Sequence, residues 1–186
     1  MTGWIGDERA QLAAEKILDA AAGLFVERGV GGVGMREIAA AAGCSRATLY
    51  RYFADRGQLH MAFVHREAVR VGGQVAAEVR AAAPTDQAEA VTLAVLGAVR
   101  RVRETPALAA WFRQDDAATS AGVAQSSAVI EALGLAMVPD PLAARWLVRV
   151  VLSLLTTPGR DDAEERMLVE RFVAPVVVGR VSHSAP

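Results

Sequence analysis

The most informative stretch of the chain is residues 43–53, which read GCSRATLYRYF. Both tyrosines of the chain, Tyr50 and Tyr52, lie in this stretch, and Arg46 and Arg51 are interleaved with them. Large polar side chains of this kind are rarely concentrated on a surface without a role. The stretch therefore predicts a functional site, and the pattern of the surrounding residues indicates which kind.

Two short helices joined by a tight turn are predicted around Gly43. Apolar residues at helical spacing over 35–42 form the first helix, and Ser45 can cap the second. Leu49 and Phe53 form the buried side of that second helix. Since each residue turns a helix by about 100°, the polar and aromatic side chains are then left exposed. This is a helix-turn-helix pattern, which occurs in DNA-binding proteins and also as a plain structural corner.

A DNA-binding role fits the side chains that the second helix exposes. Such a helix lies in the major groove with its N-terminal side chains at the base edges. Arg46 can form a bidentate pair with guanine, while the hydroxyls of Thr48, Tyr50 and Tyr52 can reach phosphates. Arg56, at the start of the next helix, can hold a phosphate together with backbone N–H groups. The alternatives for these side chains are half-buried packing, help at the helix start, or plain solvation.

The overall charge neither indicates nor excludes a nucleic-acid partner. The chain has 186 residues with 20 basic and 21 acidic side chains, a formal net charge of −1. A basic footprint must therefore be local, and three arginines against one aspartate over 46–56 supply it. The length suits one domain or two small ones and is sufficient for a buried core.

A wider segment resembles the DNA-binding domain of the tetracycline-repressor (TetR) family. It covers roughly residues 10–62 and includes ILDAAAGLFVERG and MREIAAAAGCSRATLYRYFADRGQL. The resemblance implies a homodimeric, one-component transcriptional regulator, usually a repressor, with a variable helical C-terminal domain. That domain would bind a small molecule and dimerise. We therefore expect a DNA-binding domain at 1–56, an effector-binding and dimerisation domain at 57–186, and release from a palindromic operator when a small apolar molecule binds.

The resemblance also implies roles for individual residues. Arg36 and Arg46 correspond to base readers, and Thr48 and Tyr50 correspond to phosphate contacts. The complete set of DNA-binding residues that we expect is Arg36, Ser45, Arg46, Ala47, Thr48, Tyr50, Arg51, Tyr52 and Arg56.

The segment departs from the family pattern at three places. Gly34 and Met35 stand where the family often has a threonine that contacts phosphate, so that contact is expected to be lost. Arg56 replaces the usual lysine and keeps its charge. Cys44 replaces a common valine, and we expect it to be a small buried side chain, with a redox switch as the alternative.

The rest of the chain is a series of helices separated by short breaks, which predicts an all-α fold. The first covers residues 8–28 and precedes the loop GVGGVG, which lacks the flanking strand and lysine of a phosphate-binding loop. A long helix capped by Asp55 runs to about Arg80, with a bend or loosening expected at Gly72 and Gly73. Later helices are expected after a cap at Thr85 or Asp86, after a cap at Thr105, over 140–157 behind Asp140, and over 162–178.

The two last helices are apolar beyond what one buried face needs. This surplus favours a four-helix homodimer interface. The candidate interface residues are Leu147, Val151, Leu154, Met167 and Phe172. The alternative is that these helices lie centrally in the core.

A small-molecule pocket is expected among the C-terminal helices. Its candidate wall residues are Trp111, Phe112, Met137 and Trp146, and Arg113, Gln114 or Asp116 could orient an apolar or aromatic ligand. Ordinary core or interface positions are the alternative for each of these side chains.

Other classes of protein find little support in the sequence. The single cysteine excludes an intramolecular disulfide, and the chain shows no signal peptide or membrane-spanning run, so a soluble cytoplasmic protein is expected. His60 and His65 are five residues apart, on different helix faces, and no cluster has metal-binding spacing. We therefore expect no catalysis, no metal and no cofactor. The remaining alternatives are a helical adaptor that binds only protein and a transcriptional activator.

Overall fold

The computed structural model describes residues 3–113 and 128–181, and every regular element in these two ranges is a helix. The chain divides into two compact units, Met1–Val64 and His65–Pro186. The helices are α1 (Gly3–Arg28), α2 (Met35–Ala41), α3 (Arg46–Tyr52), α4 (Arg56–Ala82), α5 (Gln87–Glu104), α6 (Pro106–Ala109) with a 3₁₀ turn (Ala110–Phe112), α7 (Ala128–Met137), α8 (Pro141–Thr156), α9 (Asp162–Phe172) and α10 (Ala174–Val181). The division falls inside α4, and the functional boundary at residue 56 stays a prediction.

The all-α prediction is confirmed for the described residues. Among these helices, none is long and apolar enough to cross a lipid bilayer.

The first unit has a small aromatic core at the junction of α1 and α4. The ring of Phe25 meets the ring of Phe63 edge-on, with centroids 5.3 Å apart, and the ring of His60 at 5.5 Å. Leu49 of α3 is fully buried and Phe53 is nearly so, as the helix-turn-helix pattern predicts. Burial of these two side chains orients α3, because the remaining faces of that helix are then left toward solvent.

Side-chain caps begin several helices as predicted. Asp86 accepts the N–H of Glu89 at 2.8 Å, and Asp140 accepts the N–H of Leu142 at 2.7 Å. Thr105 is the N-cap residue of α6, as predicted, but it makes no side-chain capping bond, because its hydroxyl donates to the carbonyl of Arg101. Local sequence therefore determines most helix starts, because a cap needs only the residues of one turn.

The single last helix predicted over 162–178 is divided in two. The helix α9 ends at Phe172, Val173 has φ −113° and ψ −60°, and α10 begins at Ala174. Pro175 explains the break, because proline has no N–H to donate to the preceding turn and its ring crowds that turn.

The core of the second unit surrounds α5, which packs against α8, α9 and α10. Leu147 and Leu154 of α8 are buried in this core, and Val151 packs against it. Met167 and Phe172, by contrast, are 54% and 59% exposed. Leu147, Val151 and Leu154 therefore occupy the core, the alternative to an interface position. Of the five candidate interface residues, only Met167 and Phe172 are exposed.

The helix α4 is continuous through Gly72 and Gly73, where a bend or loosening was expected. A Cβ atom at Gly72 would lie 2.7 Å from Cδ2 of Leu133 on α7, whereas a Cβ at Gly73 would meet nothing within 4 Å. Gly72 therefore allows α7 to pack closely on α4, and Gly73 makes no such contact.

We expect Gly72→Ala and Gly73→Ala to differ in their effect on stability. Gly73→Ala should raise the free energy of unfolding by about 0.5–1 kcal/mol, because alanine is the better helix former at an exposed position. Gly72→Ala should be less stable than Gly73→Ala by about 1 kcal/mol, since Leu133 must move. Urea unfolding of both variants measures this difference, and equal stabilisation would show that α7 does not constrain Gly72.

Candidate nucleic-acid interface

The turn between α2 and α3 is closed by backbone hydrogen bonds. The N–H of Gly43 donates to the carbonyl of Ala40 at 3.1 Å, and the N–H of Cys44 donates to that of Ala39 at 3.0 Å. Gly43 has φ +66°, in the left-handed region where glycine is favoured. Cys44 is half-buried, so the expectation of a buried side chain is only partly met. The turn holds α3 at a defined angle to α2.

The start of α3 is held by two hydroxyl side chains. The Oγ of Ser45 accepts the N–H of Thr48 at 3.1 Å and lies 2.9 Å from the Oγ1 of Thr48. Ser45 is therefore the N-cap of the helix, as predicted. One of the two hydroxyl protons is used in the bond between them, and the other remains able to donate to a phosphate.

The outer face of α3 presents most of the predicted DNA-binding side chains. Arg46, Ala47, Tyr50 and Arg51 are exposed, while Tyr52 is half-buried. The guanidinium carbon of Arg51 lies 5.3 Å from the centroid of the Tyr52 ring. This cation–π contact orders both side chains along the same edge of the helix.

Two arginines of the interface have their guanidinium groups unengaged. Arg36 on α2 and Arg46 on α3 are exposed, and neither makes a side-chain hydrogen bond or ion pair with any residue that the structure describes. Residues 35–56 carry four arginines against two acids, Glu37 and Asp55. The helix-turn-helix is therefore locally basic, and these two arginines can bind a partner without first breaking an ion pair.

Arg56 is the first residue of α4, as expected. Its Nη1 donates to the carbonyl of Gly31, in the loop between α1 and α2, at 3.5 Å. The side chain remains exposed, and the contact is at the long limit for a hydrogen bond. Its role as a phosphate contact stays a prediction.

Sequence reasoning missed an ion pair at the start of α2. The carboxylate of Glu37 accepts from the Nη1 of Arg28 at 2.5 Å and from the N–H of Gly34 at 2.9 Å. A glutamate three positions after a helix N-cap is a recognisable capping-box pattern, so the bond to Gly34 could have been predicted. The partner Arg28 could not, because it belongs to another helix.

The predicted pocket residues differ in their burial. Trp111 is buried, Phe112 and Met137 are half-buried against the core of the second unit, and Trp146 is 46% exposed. Arg113 is exposed, and the candidates Gln114 and Asp116 lie outside the described residues.

An open cavity of about 320 Å³, lined by charged residues together with Leu96 and Val99, lies between α5 and α9. Its lining includes Arg103 and Glu165 but none of the four predicted wall residues. Arg103 donates to both oxygens of Glu165, at 2.7 and 2.9 Å, and to the carbonyl of Leu154 at 2.8 Å. The Oε1 of Glu165 also accepts the N–H of Gly159. These bonds, that from Arg103 foremost, hold the pKa of Glu165 below its ordinary value.

The described residues form no candidate metal-binding site. Within residues 3–113 and 128–181, no three His, Cys, Asp or Glu side chains are grouped so that they could hold a metal ion.

Comparison with known proteins identifies the class and then the family. An HTH-type transcriptional regulator recorded as uncharacterized in two strains of Mycobacterium tuberculosis is 45% identical over 185 residues, covering 95% of this chain and 91% of the relative. The protein is thus a helix-turn-helix transcriptional regulator. Residues 17–62 match the family model for bacterial regulatory proteins of the tetR family. The chain belongs to the TetR family.

Solved structures show the same fold at low sequence identity. A TetR transcriptional regulator from Rhodococcus sp. superposes with a TM-score of 0.68 at 22% identity, covering 93% of this chain and 98% of that one. The regulator RolR, crystallised with resorcinol, has a TM-score of 0.66 at 19% identity, with 97% of each chain covered. These likenesses confirm an N-terminal helix-turn-helix domain followed by a helical C-terminal domain.

Proposed function

We propose that the protein is a homodimeric repressor that leaves a palindromic operator when a small apolar molecule binds its second unit. The observation that carries DNA binding is the exposed face of the helix-turn-helix. Burial of Leu49 turns Arg46, Tyr50 and Arg51 outward, and Arg36 of α2 is equally exposed. The proposed activity is recognition of operator DNA and of an effector in the cytoplasm. It involves no catalysis, metal or cofactor.

The residues divide into base readers and phosphate contacts. Arg36 and Arg46 are assigned to base edges, because their guanidinium groups are unengaged and arginine pairs bidentately with guanine. Ser45, Thr48, Tyr50, Tyr52 and Arg56 are assigned to phosphates, while Ala47 and Arg51 lie where bases and backbone are both within reach. Phosphate contacts position the helix, and base contacts select the sequence.

Selection from random-sequence duplexes tests the proposal directly. The purified protein is expected to enrich a palindromic motif whose half-sites are about one helical turn apart. Binding to that motif, followed by fluorescence anisotropy, should weaken steeply between two salt concentrations, because bound arginines release counterions. Failure to enrich any motif would contradict a role in sequence-specific DNA binding.

Arg46→Ala is expected to reduce operator affinity by about 1–3 kcal/mol and to relax the preference at one base position in each half-site. The reason is the loss of one bidentate contact to a base edge. Arg80→Ala, which removes an exposed arginine from the second unit, is the matched control and should bind like the wild type. A loss of equal size on all sequences would instead make Arg46 a phosphate contact.

The second copy of the chain is proposed to cover an apolar surface on the second unit. Large apolar side chains there are 40–59% exposed, which favours burial against a partner. The exposed side chains that we propose to form this apolar face are Leu142 and Trp146 on α8, Met167, Leu168 and Phe172 on α9, and Val176 on α10. Its self-complementary use in a two-fold dimer would place two helices from each subunit together, as in a four-helix interface.

The effector is proposed to bind within the second unit, near Trp111, Phe112 and Met137. Phe112 and Met137 pack against the apolar core of the second unit and Trp111 is buried, which suits a small apolar or aromatic molecule. The solved structure of RolR with resorcinol supports the ability of this fold to hold such a molecule. Repression would end when the effector binds more tightly to a conformation that DNA disfavours, since a ligand shifts an equilibrium only by its differential affinity.

A further inference from the structure

We propose that Glu37 is a positioning residue of the DNA interface. Its carboxylate joins the end of α1 to the start of α2, and thereby determines where α2 presents Arg36. This inference rests on the proposed DNA-binding function and adds to it a residue that does not itself touch DNA.

The two oxygens of Glu37 bind donors from two different elements. Oε1 accepts from the Nη1 of Arg28, the last residue of α1, at 2.5 Å. Oε2 accepts the N–H of Gly34, the N-cap of α2, at 2.9 Å. A carboxylate is needed for both bonds, because a glutamine has only one acceptor oxygen.

The start of α2 has no side-chain cap from its own N-cap residue. Its N-cap is a glycine, which has no side chain to cap the helix, and only Ile38 and Ala39 of its seven residues are buried. Arg36 is adjacent to Glu37 in sequence and exposed. A shift or rotation of this short helix would therefore move Arg36 relative to α3.

The loop between α1 and α2 folds tightly against the same junction. Gly29 has φ +75°, and a Cβ at Gly32 would lie 2.7 Å from the carbonyl oxygen of Arg28. Arg56 reaches the loop from the other side, through the carbonyl of Gly31. The loop is thus closed on Arg28. Because the Arg28–Glu37 pair is itself about half exposed, it restrains α2 only together with the closed loop and the second bond of Glu37 to the N–H of Gly34.

The direction of the affinity change on removing the charge of Glu37 distinguishes a positioning role from a purely electrostatic one. Glu37 is a negative charge beside a predicted DNA surface, and removing such a charge should by itself strengthen binding to phosphates. A positioning role predicts the reverse, because loss of the bridge displaces Arg36.

The test compares Glu37→Gln with Glu27→Gln on the operator obtained by selection. Glu27 is an exposed acid near the end of α1 with no side-chain partner among the described residues, so its variant removes the same charge and no bridge. Glu37→Gln is expected to lower affinity about fivefold, the lower end of what one direct base contact contributes, because Arg36 is displaced but not removed, and to weaken the preference at the base read by Arg36. Glu27→Gln is expected to bind as tightly as the wild type or more tightly.

Two further measurements distinguish positioning from loss of folding. Thermal unfolding shows what fraction of Glu37→Gln is folded at the assay temperature. The measured loss of affinity must exceed the apparent loss that the unfolded fraction alone would cause. In a double-mutant cycle with Arg28→Gln, the double variant should lose little more than Glu37→Gln alone, because both changes break one bridge.

Three outcomes would overturn the inference. Tighter binding by Glu37→Gln would show that only its charge matters. Unchanged binding would show that it does not position Arg36. An affinity loss fully explained by unfolding would make its role structural. A wild-type protein that selects no DNA motif would overturn the proposed function itself and this inference with it, a result that is recognised before any variant is tested.

Discussion

Phe172→Glu is expected to dissociate the homodimer and to reduce operator affinity by about 100-fold or more. Phe172 is 59% exposed on α9, at the apolar face that we assign to the second copy. In a two-fold interface, one substitution places a charge on each side, where it would be buried without a partner. A dimer binds two half-sites at once and therefore binds the operator more tightly than a monomer does. Loss of the partner removes this gain in affinity. Sedimentation velocity and operator anisotropy measure the two effects.

The matched control for this prediction is Val69→Glu. Val69 is also an exposed apolar residue of the second unit, at 58%, but it lies on α4, outside the apolar face. It should remain dimeric and bind the operator as the wild type does. A dimeric Phe172→Glu would refute this interface, and a monomeric Val69→Glu would move the interface to α4.

Glu165→Ala is expected to lower the free energy of unfolding by about 2–4 kcal/mol. Glu165 is 3% exposed and accepts from Arg103 on α5 and from the N–H of Gly159. Removing it leaves a partly buried guanidinium and a backbone donor without their acceptor, which costs more than the pair itself contributes. Urea unfolding of the purified variant measures the loss.

Glu170→Ala provides the comparison on the same helix. Glu170 pairs with Arg166 at 3.2 Å, and both side chains are about half exposed. Such a pair contributes little, so its loss should change stability by less than about 0.5 kcal/mol. Similar losses in the two variants would show that burial of Glu165 is not what makes its ion pair stabilising.

The stabilisation from Glu165 should also depend on pH in a defined direction. Hydrogen bonds from Arg103 hold the pKa of Glu165 below its ordinary value of 4.5. The unfolded chain therefore takes up this proton at higher pH than the folded protein does. The stability difference between the wild type and Glu165→Gln should be full above pH 5 and should shrink as pH falls below 4.5. A difference that stays constant down to pH 3 would contradict this assignment.

The helix-turn-helix could be predicted from sequence because its signals are local. The positive φ at Gly43, the cap at Ser45 and the burial of Leu49 each depend on residues within one or two turns. The same reasoning missed the division between α9 and α10, although Pro175 was a sufficient signal. It also placed Thr105 at the N-cap of α6 but did not predict the missing capping bond, because a threonine before a proline fits the pattern whichever way its hydroxyl points.

Sequence alone thus determined the class of fold, most of the helix boundaries and the face of α3 that is exposed. In the second unit, only the tertiary structure decided which apolar residues lie inside. Periodicity places Leu147 and Phe172 on apolar faces but does not state which of these faces the chain itself covers. Only the tertiary structure paired Arg28 with Glu37 and Arg103 with Glu165. Partners in different helices meet through helix packing. The spacing of residues within one helix does not predict which residues of another helix they will contact.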